Sequence, residues 1–137
     1  MKNLLLLLLF IFLSAFECSA QYGEWINIRK EKDGAIYLRS DQLSLDSIKK
    51  VWIKDVQKQL EIISDKGKKV IIPNGYTVSL REFDCAKKKT KLISYINYDS
   101  KGKVLYSVKM EEYEQSWEDV APETIGELLF MRTCQLF

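Results

Sequence analysis

The chain has 137 residues, 29% of them charged and 47% apolar, with 21 Lys and Arg against 19 Asp and Glu and no histidine. Without imidazole, the usual general base at neutral pH, the Ser-His-Asp and Cys-His nucleophile pairs and ordinary histidine metal sites are all excluded. The near-neutral total hides a division: residues 21–110 carry 19 Lys and Arg against 11 acids, whereas residues 111–137 carry one Arg against seven. An acidic segment folding back on a basic body is the simplest consequence, and a basic face for an acidic partner the sharper one.

The N-terminus reads Met1-Lys2-Asn3, then a nearly unbroken apolar run from Leu4 to Phe16, then Cys18-Ser19-Ala20. A basic start, a short apolar core and small residues before the cut define a secretory signal peptide over residues 1–20, cleaved after Ala20. The apolar run is shorter than the roughly 20 residues that cross a bilayer, so no transmembrane segment is expected after cleavage. Acylation at Cys18 is the rival, but Glu17 stands where lipid attachment wants a small residue. The remainder, 21–137, is expected to form a single exported domain, periplasmic, on the cell surface or secreted. Export also takes it away from nucleic acid as a partner.

Cleavage removes Cys18 and leaves Cys85 and Cys134 as the only thiols. In an oxidising compartment they are expected to pair, the alternative being two separate buried thiols. Their spacing and number rule out a CxxC redox pair or a zinc cluster.

Short β-branched and aromatic runs broken by turn residues then predict an antiparallel sheet. Glu24–Lys30 and Ala35–Arg39 flank Lys32-Asp33-Gly34, where Asp-Gly is a strong hairpin signal. Lys50–Gln57 is the next strand. Between Lys58 and Gly75, Leu60, Ile62, Val70 and Ile72 surround Ser64-Asp65-Lys66-Gly67, which fits either a projecting β-arm or a long mobile loop. Tyr76–Cys85 alternates Tyr76, Val78 and Leu80 before its apolar positions change phase to Phe83 and Cys85, predicting a bulge near Arg81. Lys91–Tyr98 and Lys103–Met110 form a hairpin about Asp99-Ser100-Lys101-Gly102, with Val104, Tyr106, Val108 and Met110 on the buried side of a half-buried strand.

Near the C-terminus, Pro122 suits a first helical position and Glu123 the positive end of the dipole, while Ile125, Leu128, Leu129 and Met131 recur at helical spacing. A helix over Pro122–Cys134 places Cys134 at its far end, where a bond to Cys85 clamps it to the sheet. The expected fold is therefore α+β: a six-stranded antiparallel β-sheet with one C-terminal α-helix packed on a face and tied by a disulfide.

No Walker loop, GxGxxG run, GxSxG elbow or EF-hand loop is present. No catalytic residue, cofactor site or metal site is expected. Glu82 and Asp84 would share a strand face, an arrangement more typical of solvated or salt-bridged acids than of an acid/base pair. Lys87, Lys88, Lys89 and Lys91 form the densest basic run, a candidate contact for sulfated glycans, acidic host proteins or anionic envelope surfaces, set against the plainer alternative of a solvated turn. Of the aromatics, Trp25, Trp52 and Trp117 among them, most are expected in the core. Yet Val51-Trp52-Ile53 and Leu92-Ile93 with Tyr95-Ile96 are apolar on both faces, and one helix covers only one side. A self-association surface is the simplest cover for the other.

The opening Trp25-Ile26, the Asp-Gly hairpin, Ile36-Tyr37 then Asp41, Val51-Trp52-Ile53, Phe83-Asp84-Cys85, Gly102-Lys103-Val104, then Trp117, Pro122 and Cys134 together resemble the surface-adhesin protein E family. The resemblance spans nearly all of the mature chain and rests on order and spacing. It implies a six-stranded antiparallel sheet with a disulfide-tied C-terminal helix, and a non-enzymatic bacterial surface protein. The partners implied are host extracellular-matrix or serum proteins, together with dimerisation. It implies no binding motif residue by residue, and fold analogy is weak evidence for function. The alternative is a periplasmic structural or small-ligand-binding module with no host contact.

Overall fold

The structure, a computed structural model, describes residues 23–137 apart from Leu43 and Asp65. The signal segment, Cys18 and the Ala20 cleavage site lie outside the described residues.

Strands β1 (Ile26–Glu31) and β2 (Gly34–Arg39) form the predicted hairpin about Asp33. Gly34 is required there by close approach, since a Cβ would lie 2.3 Å from the carbonyl oxygen of Val56. Strand β3 (Ile48–Gln57) pairs with β2 on one side and with β6 (Tyr76–Asp84) on the other. The intervening residues are a β-arm of β4 (Gln59–Ile63) and β5 (Lys69–Pro73), a separate two-stranded sheet. Its base is pinned by the backbone bond from Gln57 N to Gly75 O at 3.0 Å and by Leu60, which is buried.

Strands β7 (Lys89–Tyr98) and β8 (Val104–Lys109) close the main path, in the antiparallel order β1-β2-β3-β6-β7-β8. Their connection is fixed by Asp99, whose Oδ1 accepts from the backbone N–H groups of Lys101 at 2.8 Å and Lys103 at 2.9 Å, with Gly102 left-handed at φ 84°. These are the six expected strands. A seventh, β9 (Glu118–Asp119), pairs with the start of β7 and was not anticipated, two residues being too short to carry a periodic signal.

The apolar residues divide by register. Ile36, Leu38, Val51, Ile53 and Phe83 point to one face, where helix α1 (Ile125–Leu136) adds buried Leu129 and partly buried Phe130 and Phe137. Phe83 and Phe130 meet at 6.4 Å between ring centroids. Each side chain fully buried here contributes about 1.5–3 kcal/mol. Cys85 and Cys134 are bonded, with Cα atoms 5.8 Å apart, so the helix is tied to the sheet as expected.

Three local expectations are corrected. The helix begins at Ile125 rather than Pro122, because Glu123 is left-handed at φ 58° and Thr124 is the N-cap, its Oγ1 accepting from Glu127 N at 3.2 Å. The bulge lies beside Arg81 but its extra residue is Ile93 on β7. Strand β6 itself alternates throughout: Tyr76, Val78 and Leu80 face away from the helix, Phe83 and Cys85 toward it, and the phase change marks the strand serving two faces in turn. Finally, β8 is an exposed edge rather than half-buried, with Val104 52% and Tyr106 41% accessible.

Candidate functional site

The sheet face opposite the helix is built by residues that the register sets side by side. Arg39 of β2 pairs with Trp52 of β3, Trp52 with Leu80 of β6, Lys54 with Val78, and Val78 with Ile96 of β7. Directly paired residues share a face, so charged and apolar side chains interleave across four strands. Trp25, just before β1, joins them: the Arg39 guanidinium lies 5.0 Å from its ring centroid.

Two further cations of this face lie over rings. Lys54 Nζ is 4.5 Å from the Tyr76 centroid, and Tyr76 stacks on Tyr98 at 4.8 Å. Lys91 Nζ is 4.9 Å from the Trp117 centroid. Desolvation, then the neighbouring Tyr98 and Asp99, push the Tyr76 phenol above its ordinary value. Asp41 ties the middle together, its Oδ1 lying 3.0 Å from Arg39 Nε and its Oδ2 accepting from Trp52 Nε1 at 3.0 Å.

The result is an open trough of about 300 Å³ between Trp25, Trp52, Tyr76 and Tyr98, continued by a hollow of about 160 Å³ at Asp41, Lys50, Trp52 and Leu80. These volumes lie at or below the small end of enclosed ligand pockets. A long surface ligand suits the shape better than a small molecule swallowed whole.

The four lysines singled out in the sequence sit at and after the β6–β7 turn, each near an acid. Lys88 Nζ is 2.8 Å from Glu127, Lys91 Nζ 2.8 Å from Glu82, Lys89 Nζ 3.3 Å from Asp119 and Lys87 Nζ 3.9 Å from Asp84. Glu127 and Asp119 come from the acidic C-terminal stretch, which thus folds back on the basic body. The Lys88 hydrogen bond and the backbone N–H of Glu123 hold the Glu127 carboxyl below its ordinary range. Asp84 is buried, its Oδ1 accepting from the backbone N–H groups of Ala86 at 3.1 Å and Lys87 at 3.0 Å, which fixes the turn. Glu82 and Asp84 do share a strand face, but the first is engaged by a lysine and the second by backbone.

Lys91 alone of the four also lies over an aromatic ring. Trp25 with Arg39, Lys54 with Tyr76 and Lys91 with Trp117 are each distant in sequence, so composition shows the parts and not the pairings. The two-faced strand Val51-Trp52-Ile53 was the signal that pointed here. Among the described residues no cluster of three or more His, Cys, Asp or Glu is placed to hold a metal ion, and no helix is long and apolar enough to cross a membrane.

Comparison with known families matches residues 25–135 to the one described as Surface-adhesin protein E. Neither the curated proteins nor the solved structures contain a match to the chain.

Proposed function

We propose, since the chain belongs to the surface-adhesin protein E family, that it is an exported, non-enzymatic binding protein that attaches a bacterial surface to host matrix or serum proteins. Residues 1–20 direct its export and 21–137 form the single binding domain. The observation that carries this is the aromatic and cationic face opposite the helix, where Trp25, Trp52, Tyr76 and Tyr98 stand only part-buried and no described element lies across the trough. Aromatic residues and Arg are the side chains that most often dominate protein interfaces.

Lys89, which the β6–β7 register puts on the same face as Lys91, extends this surface as a basic rim. Exposed ion pairs contribute only about 0–1 kcal/mol each, so an acidic partner can exchange its own carboxylate for the exposed Asp119 at little loss.

Immobilised laminin and vitronectin test the proposal. Saturable binding by the exported protein, weakened by Trp52→Ala with near-UV dichroism retained, is the expected result. Failure to bind either, together with resistance to protease on intact cells until the outer membrane is opened, points instead to a periplasmic module without host contact.

Edge strand β8 favours a second use. Among the described residues it pairs only with β7, and exposed Val104 and Tyr106 lie along it, which suits edge pairing between two copies. Sedimentation should then show a dimer that Tyr106→Lys dissociates; a monomer at all concentrations removes this use.

A further inference from the structure

Taking the open face as the binding surface proposed above, we propose that its ligand is an acidic polysaccharide, the glycan chains of the host matrix: sugar rings bearing hydroxyls together with carboxylate or sulfate groups. The inference deepens that proposal by naming what the face recognises. Three features of the face select this chemistry.

The first is charge. Arg39, Lys50, Lys54 and Lys91 face Asp41 and Glu82, leaving an excess of positive charge across a strip whose other members, Ser94 apart, are mainly aromatic or aliphatic. A moderately anionic, extended ligand complements it. The second is the identity of the two acids. A carboxylate repels an anion but accepts hydrogen bonds from hydroxyls, and Asp41 and Glu82 stand among the cations, where a sugar chain presents hydroxyl donors between its charged groups. A deoxyribose-phosphate backbone has no such donors, so this interleaving disfavours a DNA strand, even though aromatics plus cations suit one otherwise.

The third is the backbone. The central strands β2, β3, β6 and β7 are paired on both sides, so their N–H and C=O groups are taken up in the ladder. An extended peptide laid across them would find no main-chain partners for its own amides, which is why extended peptides add to sheet edges instead. A sugar chain has no obligatory amide groups to satisfy. The C–H faces of its rings carry slight positive charge and stack on the electron-rich faces of aromatic rings. Trp52 is the plate for this, its indole held by the bond to Asp41, and Arg39 and Lys54 flank it in reach of the anionic substituents.

Titration calorimetry of the exported protein with heparin and hyaluronan tests this, using neutral dextran, polyglutamate and a single-stranded oligonucleotide as comparisons. Saturable binding of an acidic glycan is expected, weakening as salt rises. Lys54→Gln and Trp25→Ala should each reduce it about 10-fold, the scale of one lost hot-spot contact, and Lys32→Gln by less than about 2-fold. Melting temperature and near-UV dichroism identify any variant that has merely lost its fold, and Arg39→Gln serves in its place. Glycan binding that Lys54→Gln and Trp25→Ala leave unchanged overturns the inference, as does tighter binding of polyglutamate or the oligonucleotide. If neither glycan binds while attachment to laminin or vitronectin survives glycosidase treatment, the inference falls and the adhesin proposal stands. If glycans and matrix proteins alike fail to bind, both fall.

Discussion

Replacing Cys85 and Cys134 together by Ala removes the only covalent tie between α1 and the sheet. The bond closes a separation of 49 residues, which in the chain-entropy model stabilises the fold by about 4 kcal/mol. Domains of this size are stable by roughly 5–15 kcal/mol, and each kcal/mol moves the melting temperature by about 4 °C, so a fall of about 16 °C is expected. The helix should be the first part to leave. It has only 12 residues, a length marginal in water, and holds the sheet chiefly through Leu129, Thr133, Phe130 and Phe137. Its departure uncovers Phe83, Val51 and Leu38. Thermal melts followed by far- and near-UV dichroism, with a dye that reports exposed apolar surface, should therefore show the near-UV signal failing before the β signal. A melting temperature within about 5 °C of the parent, with no dye binding, would refute the claim that the covalent bond rather than packing seats the helix.

Thr133 is fully buried and its Oγ1 has no hydrogen-bond partner; an orphan hydroxyl costs about 1–3 kcal/mol, so Thr133→Val, of the same shape, should raise the urea midpoint at unchanged slope. Gly34→Ala should lower stability by about 1–3 kcal/mol, because its Cβ meets the Val56 carbonyl oxygen at 2.3 Å, and faster amide exchange in the β1–β2 hairpin would report the site of damage. The Glu127 carboxyl, held low first by Lys88 and then by the Glu123 N–H, contributes stability that is complete above the ordinary carboxylate range and is lost as pH falls through the depressed value. Its NMR titration midpoint should lie below that of a free Glu side chain, and Lys88→Gln should move it upward; an unchanged midpoint in that variant removes the assigned cause.

The sheet was legible because its turns carry their own chemistry. Asp33-Gly34 and Asp99 to Gly102 mark hairpins whatever surrounds them, and two thiols in an exported chain have one partner each. What escaped depended on contacts between distant residues. Pro122 and Glu123 look like a helix start by composition, yet the left-handed backbone at Glu123 decides otherwise. Val104, Tyr106 and Val108 alternate as a half-buried strand should, but periodicity says which side a residue is on, not whether anything covers that side. The same limit hid the aromatic face: the lysine run drew attention by local density, while Arg39, Lys54 and Lys91 each find their ring on another strand or beyond the sheet.

The arm of β4 and β5 is an excursion from a hairpin that is already complete. Strands β3 and β6 pair directly from Val56 with Tyr76 down to Ile48 with Asp84, and the chain leaves and returns through a single closed neck. The β3–β6 register is therefore continuous across the excursion. Leu60 is buried at the base of the arm and Ile62 and Ile63 share a hollow with Tyr95 and Tyr106, so the tip beyond Ile63 and Lys69 is where added residues would disturb the binding face least.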